Sequence, residues 1–217
     1  MKPKPFSFEH YYNTLQKAKE SGYKFLQCKE FAQIKNYEKV IILRHDVDFC
    51  LENSLVFSKL ETSLGIKSTY FIRLHSRRYN PLDIKNYKIV QNIISQGHEI
   101  GLHHEPDFTN FCLNGGFSSI KDEINCFNTL FQTKIHGVST HEPTRNAIQI
   151  SPDNLHNFPL KYEAYFPHFI KDMKYISDSG SRWREGCMSE WIAKGEPKLC
   201  IVTHPGWWYE KSSLENY

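Results

Sequence analysis

The chain has 217 residues, a length that suits one buried core and is short for two domains. Its composition, with 40% hydrophobic and 24% charged residues, is that of a folded protein rather than a disordered or fibrous one. The formal net charge of +3 comes without a basic stripe, which argues against a nucleic-acid-binding protein. No apolar run approaches the ~20 residues of a membrane-spanning helix.

Cysteine and histidine are the informative residue types of the composition. The chain has 6 cysteines, none of them in a Cys-x-x-Cys pair, so neither a zinc ribbon nor a redox motif is indicated. The segment after Met1 is polar and lacks the apolar stretch of a secretion signal. We therefore expect reduced cysteines and a cytoplasmic protein. The 11 histidines favour a metal site.

Segments with strand character alternate with segments of helical spacing along the chain. The first is a predicted helix over residues 8–21, with Ser7 as its N-cap and Gly22 at its end. The apolar run at residues 39–44 then predicts a buried parallel strand. The later predicted elements are helices over 50–64, 83–96 and 118–131, the last capped by Ser118 or Ser119, and strands over 67–74, 98–103, 134–139, 162–166, 174–177 and 199–203.

This alternation predicts an α/β fold with a mainly parallel sheet of about seven strands and helices outside it. Residues 141–160, with three prolines, predict a long irregular loop. Periodicity alone is compatible with a closed barrel and with an open sheet.

Polar residues that can take part in catalysis or metal binding follow several of the predicted strands. In parallel α/β folds the C-terminal ends of the strands meet on one rim, where active sites lie. The sequence therefore predicts a convergent site at this rim. The segments concerned are His45–Asp48, His103–Glu105, His141–Glu142, Asp178 and His204.

Asp46 and Asp48 stand two residues apart, so in an extended strand they point the same way. Two neighbouring carboxylates repel each other and need a cation or a proton between them. One can bind a metal ion while the other stays free as a general base. The alternative is a loop in which one aspartate caps the helix near Cys50, but the other polar strand ends favour the metal site.

Histidines and tryptophans complete the predicted rim. His103 and His104 are adjacent and face opposite sides of a strand, so only one joins the site. His204 precedes Pro205, which favours extended geometry and holds the imidazole at the strand end; the alternative is a histidine in a turn. Trp183, Trp207 and Trp208 are candidates for stacking on a sugar or for closing the end of a barrel.

Five short motifs, in order, resemble those of the polysaccharide deacetylases that share the nodulation-factor deacetylase homology domain. The resemblance extends over about residues 40–208 and leaves residues 1–37 uncovered. The motifs are Arg44–Asp48 (RHDVD), Gly97–His103 (GHEIGLH), Ser139–Pro143 (STHEP), Tyr175–Trp183 (YISDSGSRW) and Thr203–Pro205 (THP).

The resemblance implies a distorted (β/α) barrel, commonly of seven strands, in a single domain over residues 1–217 with an N-terminal helical extension over residues 1–37. It also implies a divalent metal ion, often zinc, and hydrolysis of an N- or O-acetyl group on a sugar or glycan precursor. Carried over residue by residue, Asp46 is the catalytic base and Asp48 and His103 are metal ligands. His204 is the general acid.

The sequence departs from the family pattern at the third ligand. Members usually have a second metal histidine four residues after the first, and that position is Asp107 here. The candidates are His141, Asp107 and His104. We favour His141, because it follows a different strand and zinc accepts imidazole readily. The family's arginine near the His141 segment, which orients the base, is also not evident in the sequence, and its candidates are Arg44, Arg145, Arg182 and Arg184.

Two other functions are compatible with these residues. One is metal-dependent hydrolysis of a cyclic amide or a phosphoester, since the attacking chemistry is similar. The other is a non-catalytic sugar-binding relative of the deacetylases, which the missing second histidine favours. The sequence identifies neither the sugar nor the oligomeric state.

Overall fold

The computed structural model describes residues 6–113, 115–145 and 149–216. In these ranges, strands and helices alternate along the chain. The strands are β1 (Lys24–Leu26), β2 (Val40–Val47), β3 (Thr69–Ile72), β4 (Glu99–His104), β5 (Gly137–Thr140), β6 (Tyr162–Glu163), β7 (Lys174–Ser177) and β8 (Lys198–Thr203). The α-helices are α1 (Phe8–Glu20), α2 (Glu52–Ser63), α3 (Ile84–Ser95), α4 (Pro106–Phe111), α5 (Gly116–Phe131), α6 (Pro167–Ile170) and α7 (Met188–Lys194).

Seven of the strands form a curled path with the order β6-β5-β4-β3-β2-β8-β7 and helices around it. Every pairing between these strands is parallel. Strand β1 pairs with the first half of β2, and β3 pairs with its second half. This confirms both the mainly parallel sheet of about seven strands that the sequence pattern predicts and the distorted (β/α) barrel that the family resemblance implies.

Most of the predicted elements are present, and one predicted cap is wrong. The Ser7 hydroxyl accepts a hydrogen bond from the backbone N–H of His10 at the start of α1, as expected. Helix α5, in contrast, begins at Gly116, so Ser118 and Ser119 lie inside its first turn and cap nothing. The sequence pattern also missed β1 and the short helices α4, α6 and α7, which have 6, 4 and 7 residues.

Some predictions extend beyond the described residues. Residues 1–5, 114 and 217 of the predicted single domain lie outside them, as do residues 146–148 of the predicted 141–160 loop. The described part of that loop contains one short 3₁₀ helix, Leu155–Asn157. The segment before β2 also contains a 3₁₀ helix, Cys28–Asn36, after strand β1. Among the residues that the structure describes, no helix combines the length and the apolar composition needed to cross a membrane.

Two glycines make room for aromatic rings inside the barrel, below the rim. A Cβ atom at Gly101 would lie 2.5 Å from the ring of Phe71, and one at Gly137 would lie 2.2 Å from the ring of Tyr162. Both distances are too short for any side chain. The Phe71 ring in turn lies 5.0 Å from the guanidinium carbon of Arg44. The two glycines thus leave space for the aromatic rings, and one of these rings, that of Phe71, packs near Arg44.

A fully buried carboxylate, that of Glu61 on α2, lies on the outer side of β2. It accepts hydrogen bonds from the hydroxyls of Tyr11, Ser68 (2.6 Å) and Tyr70 (2.8 Å), and His45 Nε2 lies 2.8 Å away. Burial alone raises the pKa of Glu61, but the charge of His45 and these hydrogen bonds outweigh burial and lower the pKa to about 2. An ionised carboxylate therefore holds α2 against the sheet.

We expect Glu61→Gln to lower the free energy of unfolding by about 3 kcal/mol near neutral pH, because an amide cannot accept all of these hydrogen bonds. The pKa of Glu61 is depressed on folding, so its contribution is fully present above the ordinary value of 4.5 and is lost as the pH falls towards about 2. Urea unfolding at about pH 7 and about pH 3 measures this, and the deficit should shrink at the lower pH.

The matched control is Glu52→Gln on the same helix, where the carboxylate is 48% exposed and pairs with Lys85. It should cost no more than about 1 kcal/mol. A deficit at Glu61 that is no larger than that at Glu52, or that is the same at both pH values, contradicts the stabilising role of the buried carboxylate.

Candidate active site

A cavity of about 880 Å³ opens where the strands end at their C-terminal rim. Its wall includes all five residues that the sequence singled out for catalysis or metal binding: Asp46, Asp48, His103, His141 and His204. They come from the ends of β2, β4, β5 and β8, so the parallel topology brings them together as expected.

Asp48, His103 and His141 form a set that fits a divalent metal ion. One ligand atom from each residue lies within 4.8 Å of the others. Asp48 Oδ1 is 3.2 Å from His103 Nε2 and 3.6 Å from His141 Nε2. This oxygen is buried and, among the described residues, has no hydrogen-bond donor. A carboxylate oxygen between two imidazole nitrogens is the environment that zinc favours, and three protein ligands are typical of catalytic zinc.

The two histidines are oriented for this purpose by their surroundings. His103 Nδ1 donates a hydrogen bond to the carbonyl of Ser139 at 2.8 Å, so Nε2 points towards Asp48. Metal-binding histidines in proteins are commonly held in this way. Burial lowers the pKa of His141, which favours the neutral imidazole that a metal ion requires. Burial alone also lowers the pKa of His103, but Asp46 and Asp48 outweigh burial and raise it, so a metal ion would displace a proton from this imidazole.

The other candidates for the third ligand lie elsewhere. His104 faces the opposite side of β4, where Nδ1 is 3.2 Å from a carboxylate oxygen of Glu123. Asp107 is exposed on α4 and is not part of the cavity wall. His141 is thus the candidate that the structure brings to Asp48 and His103.

Asp46 is held by Arg44, two residues earlier on the same face of β2. Arg44 Nη2 donates to both carboxylate oxygens of Asp46, at 2.9 and 2.7 Å, and also contacts the hydroxyl of Ser139. The guanidinium lies between the rings of Phe71 and Tyr165, at 5.0 and 4.9 Å. Burial alone raises the pKa of Asp46, but Arg44, followed by His103, outweighs burial and lowers it. The carboxylate is therefore ionised and fixed in position.

Of the four arginines proposed to orient the base, Arg44 is the one that contacts Asp46. Arg145 is exposed and pairs with Glu142 at 3.3 Å. Arg182 is exposed, and Arg184 lines the cavity without a contact to Asp46.

His204 is held by Asp178, which follows β7. Its Nδ1 lies 2.6 Å from Asp178 Oδ1, and its backbone N–H donates to the same carboxylate at 3.0 Å. The indole N–H of Trp208 donates to the other oxygen at 2.8 Å. Burial alone lowers the pKa of His204, but Asp178 outweighs burial and raises the pKa to about 9. Nε2 remains on the cavity side, 3.8 Å from Asp48 Oδ2.

Two expectations for the rim need correction. His45 was grouped with the active strand end, but β2 continues through it, and alternation turns it away from the cavity towards Glu61. Trp208 was a candidate for sugar stacking, but it is fully buried. Trp207 lies on the cavity wall, whereas Trp183 packs 6.4 Å from the Trp208 ring.

The sequence pattern did not identify the partners that orient the histidines. Asp178 was noticed at the end of a strand but had no assigned role, and the carbonyl of Ser139 carries no sequence signal. The missing information was strand order: β7 lies beside β8, and β5 lies beside β4. A pairing of polar residues at adjacent strand ends would have linked Asp178 to His204.

No protein-family model matches the amino-acid sequence, and no curated protein matches it. Solved structures do. The chitin deacetylase of the fungal pathogen Colletotrichum lindemuthianum has a TM-score of 0.51 and 12% identity over 76% of this chain and 73% of its own. A CE4 family pseudoenzyme from Bacillus anthracis has a TM-score of 0.53 and 13% identity over 83% of this chain and 58% of its own.

A mutant of that pseudoenzyme with restored enzymatic activity has the same TM-score of 0.53, with 60% of its chain covered. The chain has the same fold as these solved structures. At 12% and 13% identity the likeness establishes the fold alone, and the chain spans less than two thirds of the pseudoenzyme's length. The shared fold agrees with the resemblance that the motifs carry.

We expect His141→Ala and Asp48→Asn each to weaken zinc binding by more than ~10-fold, since each removes a direct ligand. Titration of the purified chain with Zn²⁺ measures the affinity. Asp107→Asn is the matched control, because it removes the exposed carboxylate at the family's ligand position, and it should bind zinc like the unaltered chain. Full affinity in His141→Ala, or an equal loss in Asp107→Asn, contradicts the assigned third ligand.

Proposed function

We propose that the protein is a metal-dependent hydrolase that removes an N- or O-linked acetyl group from a sugar or a glycan precursor. The observation that supports this proposal most directly is that a possible metal-binding set, Asp48, His103 and His141, lines one cavity. The proposed base Asp46 and the proposed acid His204 line the same cavity. The fold shared with a chitin deacetylase supports acetyl removal over hydrolysis of a cyclic amide or a phosphoester.

Asp48, His103 and His141 hold the ion in this proposal. A divalent ion in that position supplies Lewis acidity towards an acetyl carbonyl and an attacking water. Zinc suits the two imidazoles and one carboxylate. All three residues line the cavity in which the substrate would bind.

Asp46 accepts the proton of the attacking water. Arg44 keeps its carboxylate ionised, and the paired hydrogen bonds fix its direction. A base that is already charged and already oriented lowers the cost of reaching the transition state.

His204 gives a proton to the leaving amine or alcohol through Nε2. Asp178 holds Nδ1, which leaves Nε2 as the nitrogen that faces the cavity. Base and acid thus come from neighbouring strands: Asp46 lies on β2, and His204 directly follows β8.

The Asp46→Asn variant should lower kcat/KM for acetate release by roughly 10²–10⁴-fold, because an amide cannot accept the proton. Bound zinc should remain stoichiometric, since Asp46 is not a ligand. The change also leaves the buried Arg44 without its charged partner, so circular dichroism and the unfolding midpoint must accompany the assay.

Acetate release from a panel of N- and O-acetylated sugars measures the activity, with Asp107→Asn as an exposed carboxylate control. A folded, zinc-loaded Asp46→Asn variant with full activity refutes the base. An unaltered chain that holds zinc yet releases no acetate from the panel favours the non-catalytic relative.

The Asp178→Asn variant should lower kcat by roughly 10²-fold or more while zinc affinity stays unchanged, because the amide no longer fixes the tautomer and orientation of His204. Steady-state kinetics and zinc titration of the same preparation measure both quantities. A loss of zinc affinity equal to the loss of kcat would mean that Asp178 supports the metal ligands rather than the proton donor.

A further inference from the structure

The wall of the active-site cavity carries more cations than its own carboxylates neutralise. Each carboxylate of the cavity wall already has an arginine, lysine or histidine partner. These pairs are Asp46 with Arg44, Glu142 with Arg145, Glu185 with Lys174, and Asp48 with the site histidines. No wall carboxylate is therefore left over for the remaining arginines of the wall.

Three of those arginines are uncompensated. Arg77, Arg78 and Arg184 line the cavity and are exposed. Among the described residues, no carboxylate lies within salt-bridge distance of any of the three guanidinium groups. A fourth wall arginine, Arg73, pairs with Glu105 and is not counted with them.

The three arginines approach the cavity from two sides. Arg77 and Arg78 lie in the loop after β3, and Arg184 lies in the loop after β7. In the sheet β3 and β7 are separated by β2 and β8, which carry the ends with Asp48 and His204. A bound ion at Asp48 would add further positive charge between these two loops.

An apolar surface for a sugar lies beside Arg78. The rings of Phe49 and Trp207 are 4.4 Å apart, centre to centre, and both line the cavity. The guanidinium of Arg78 lies 5.9 Å from the Phe49 ring. Aromatic faces bind the apolar face of a sugar ring, and arginine binds carboxylate or phosphate through paired N–H donors.

We propose that the cavity takes an acetylated sugar that carries an anionic group, a phosphate or a carboxylate, bound by Arg77, Arg78 and Arg184. The position of the acetyl group at Asp48, His103 and His141 rests on the proposed function. The anion site rests only on the cavity wall, so the two can be tested separately. The cavity, at about 880 Å³, is within the size range of small-molecule sites.

Binding is tested with sugars that lack an acetyl group and so are not consumed. Methyl glucoside, methyl glucuronide and glucose 1-phosphate share a ring and differ in the anion, and calorimetry on the full chain gives the Kd of each. At least one anionic sugar should bind about tenfold more tightly than methyl glucoside, and added salt should reduce this preference. The carboxylate and phosphate arms identify which anion the site takes.

The variants decide whether the three arginines cause the preference. Arg77→Gln together with Arg78→Gln, and Arg184→Gln alone, should each reduce the anionic-to-neutral ratio of affinities, by roughly fivefold for the pair and twofold for the single change. Arg182→Gln is the matched control, because Arg182 is exposed in the loop of Arg184 but does not line the cavity. Arg182→Gln should keep the ratio of the unaltered chain.

The same ratio is then measured as kcat/KM with the N-acetylated counterparts of the three sugars. Equal affinity for charged and neutral sugars in the unaltered chain overturns the anion site, even if acetate is released. An equal loss in Arg182→Gln also overturns it, since general charge attraction then suffices. Arginine-dependent binding without acetate release supports the anion site while it refutes the proposed reaction.

Discussion

The ion pair between Arg44 and Asp46 lies inside the barrel, where neither residue is more than 2% exposed. Removing two charges from water costs several kcal/mol for each, and the cost is offset only by near-ideal hydrogen bonding. Arg44 meets this condition with three bonds to the carboxylate, one to the carbonyl of Ala164 and a contact to Ser139. The pair holds Asp46 as a carboxylate, and the direction of β2 then places Asp48 at the rim.

The opposite face of β2 carries a second polar network, and it reaches the other half of the site. His45 lies between Glu61 on one side and Thr203 on the other, with its Nδ1 2.7 Å from the Thr203 hydroxyl. Thr203 directly precedes His204. On the inner face of β2, Arg44 orients the proposed base, Asp46. On the outer face, His45 contacts Thr203 of β8, the strand that precedes the proposed acid, His204. The two networks explain why a fully buried strand contains three ionisable residues in succession.

Much of this arrangement follows from local patterns in the sequence. Apolar runs predict the strands, a two-residue spacing predicts the shared direction of Asp46 and Asp48, and position after a strand predicts His103 and His204 at the rim. What local patterns miss depends on which strands are neighbours. The link from Asp178 to His204 requires β7 beside β8, and the placing of His141 next to His103 requires β5 beside β4. His45 was wrongly grouped with the rim because the apolar run that predicts the strand ends at residue 44. Strand β2 in fact continues through the ionisable residues to Val47. The helices α4, α6 and α7 are too short to produce a helical pattern.

The central claim is that Asp48, His103 and His141 hold one divalent ion on the rim of the barrel. X-ray absorption spectroscopy at the zinc edge of the zinc-loaded chain tests it directly, with His141→Ala measured in parallel. The expected spectrum has two imidazole nitrogens at about 2.0–2.1 Å and oxygen ligands, and one imidazole is lost in the variant. A spectrum with sulfur ligands, or one that His141→Ala leaves unchanged, would contradict the claim.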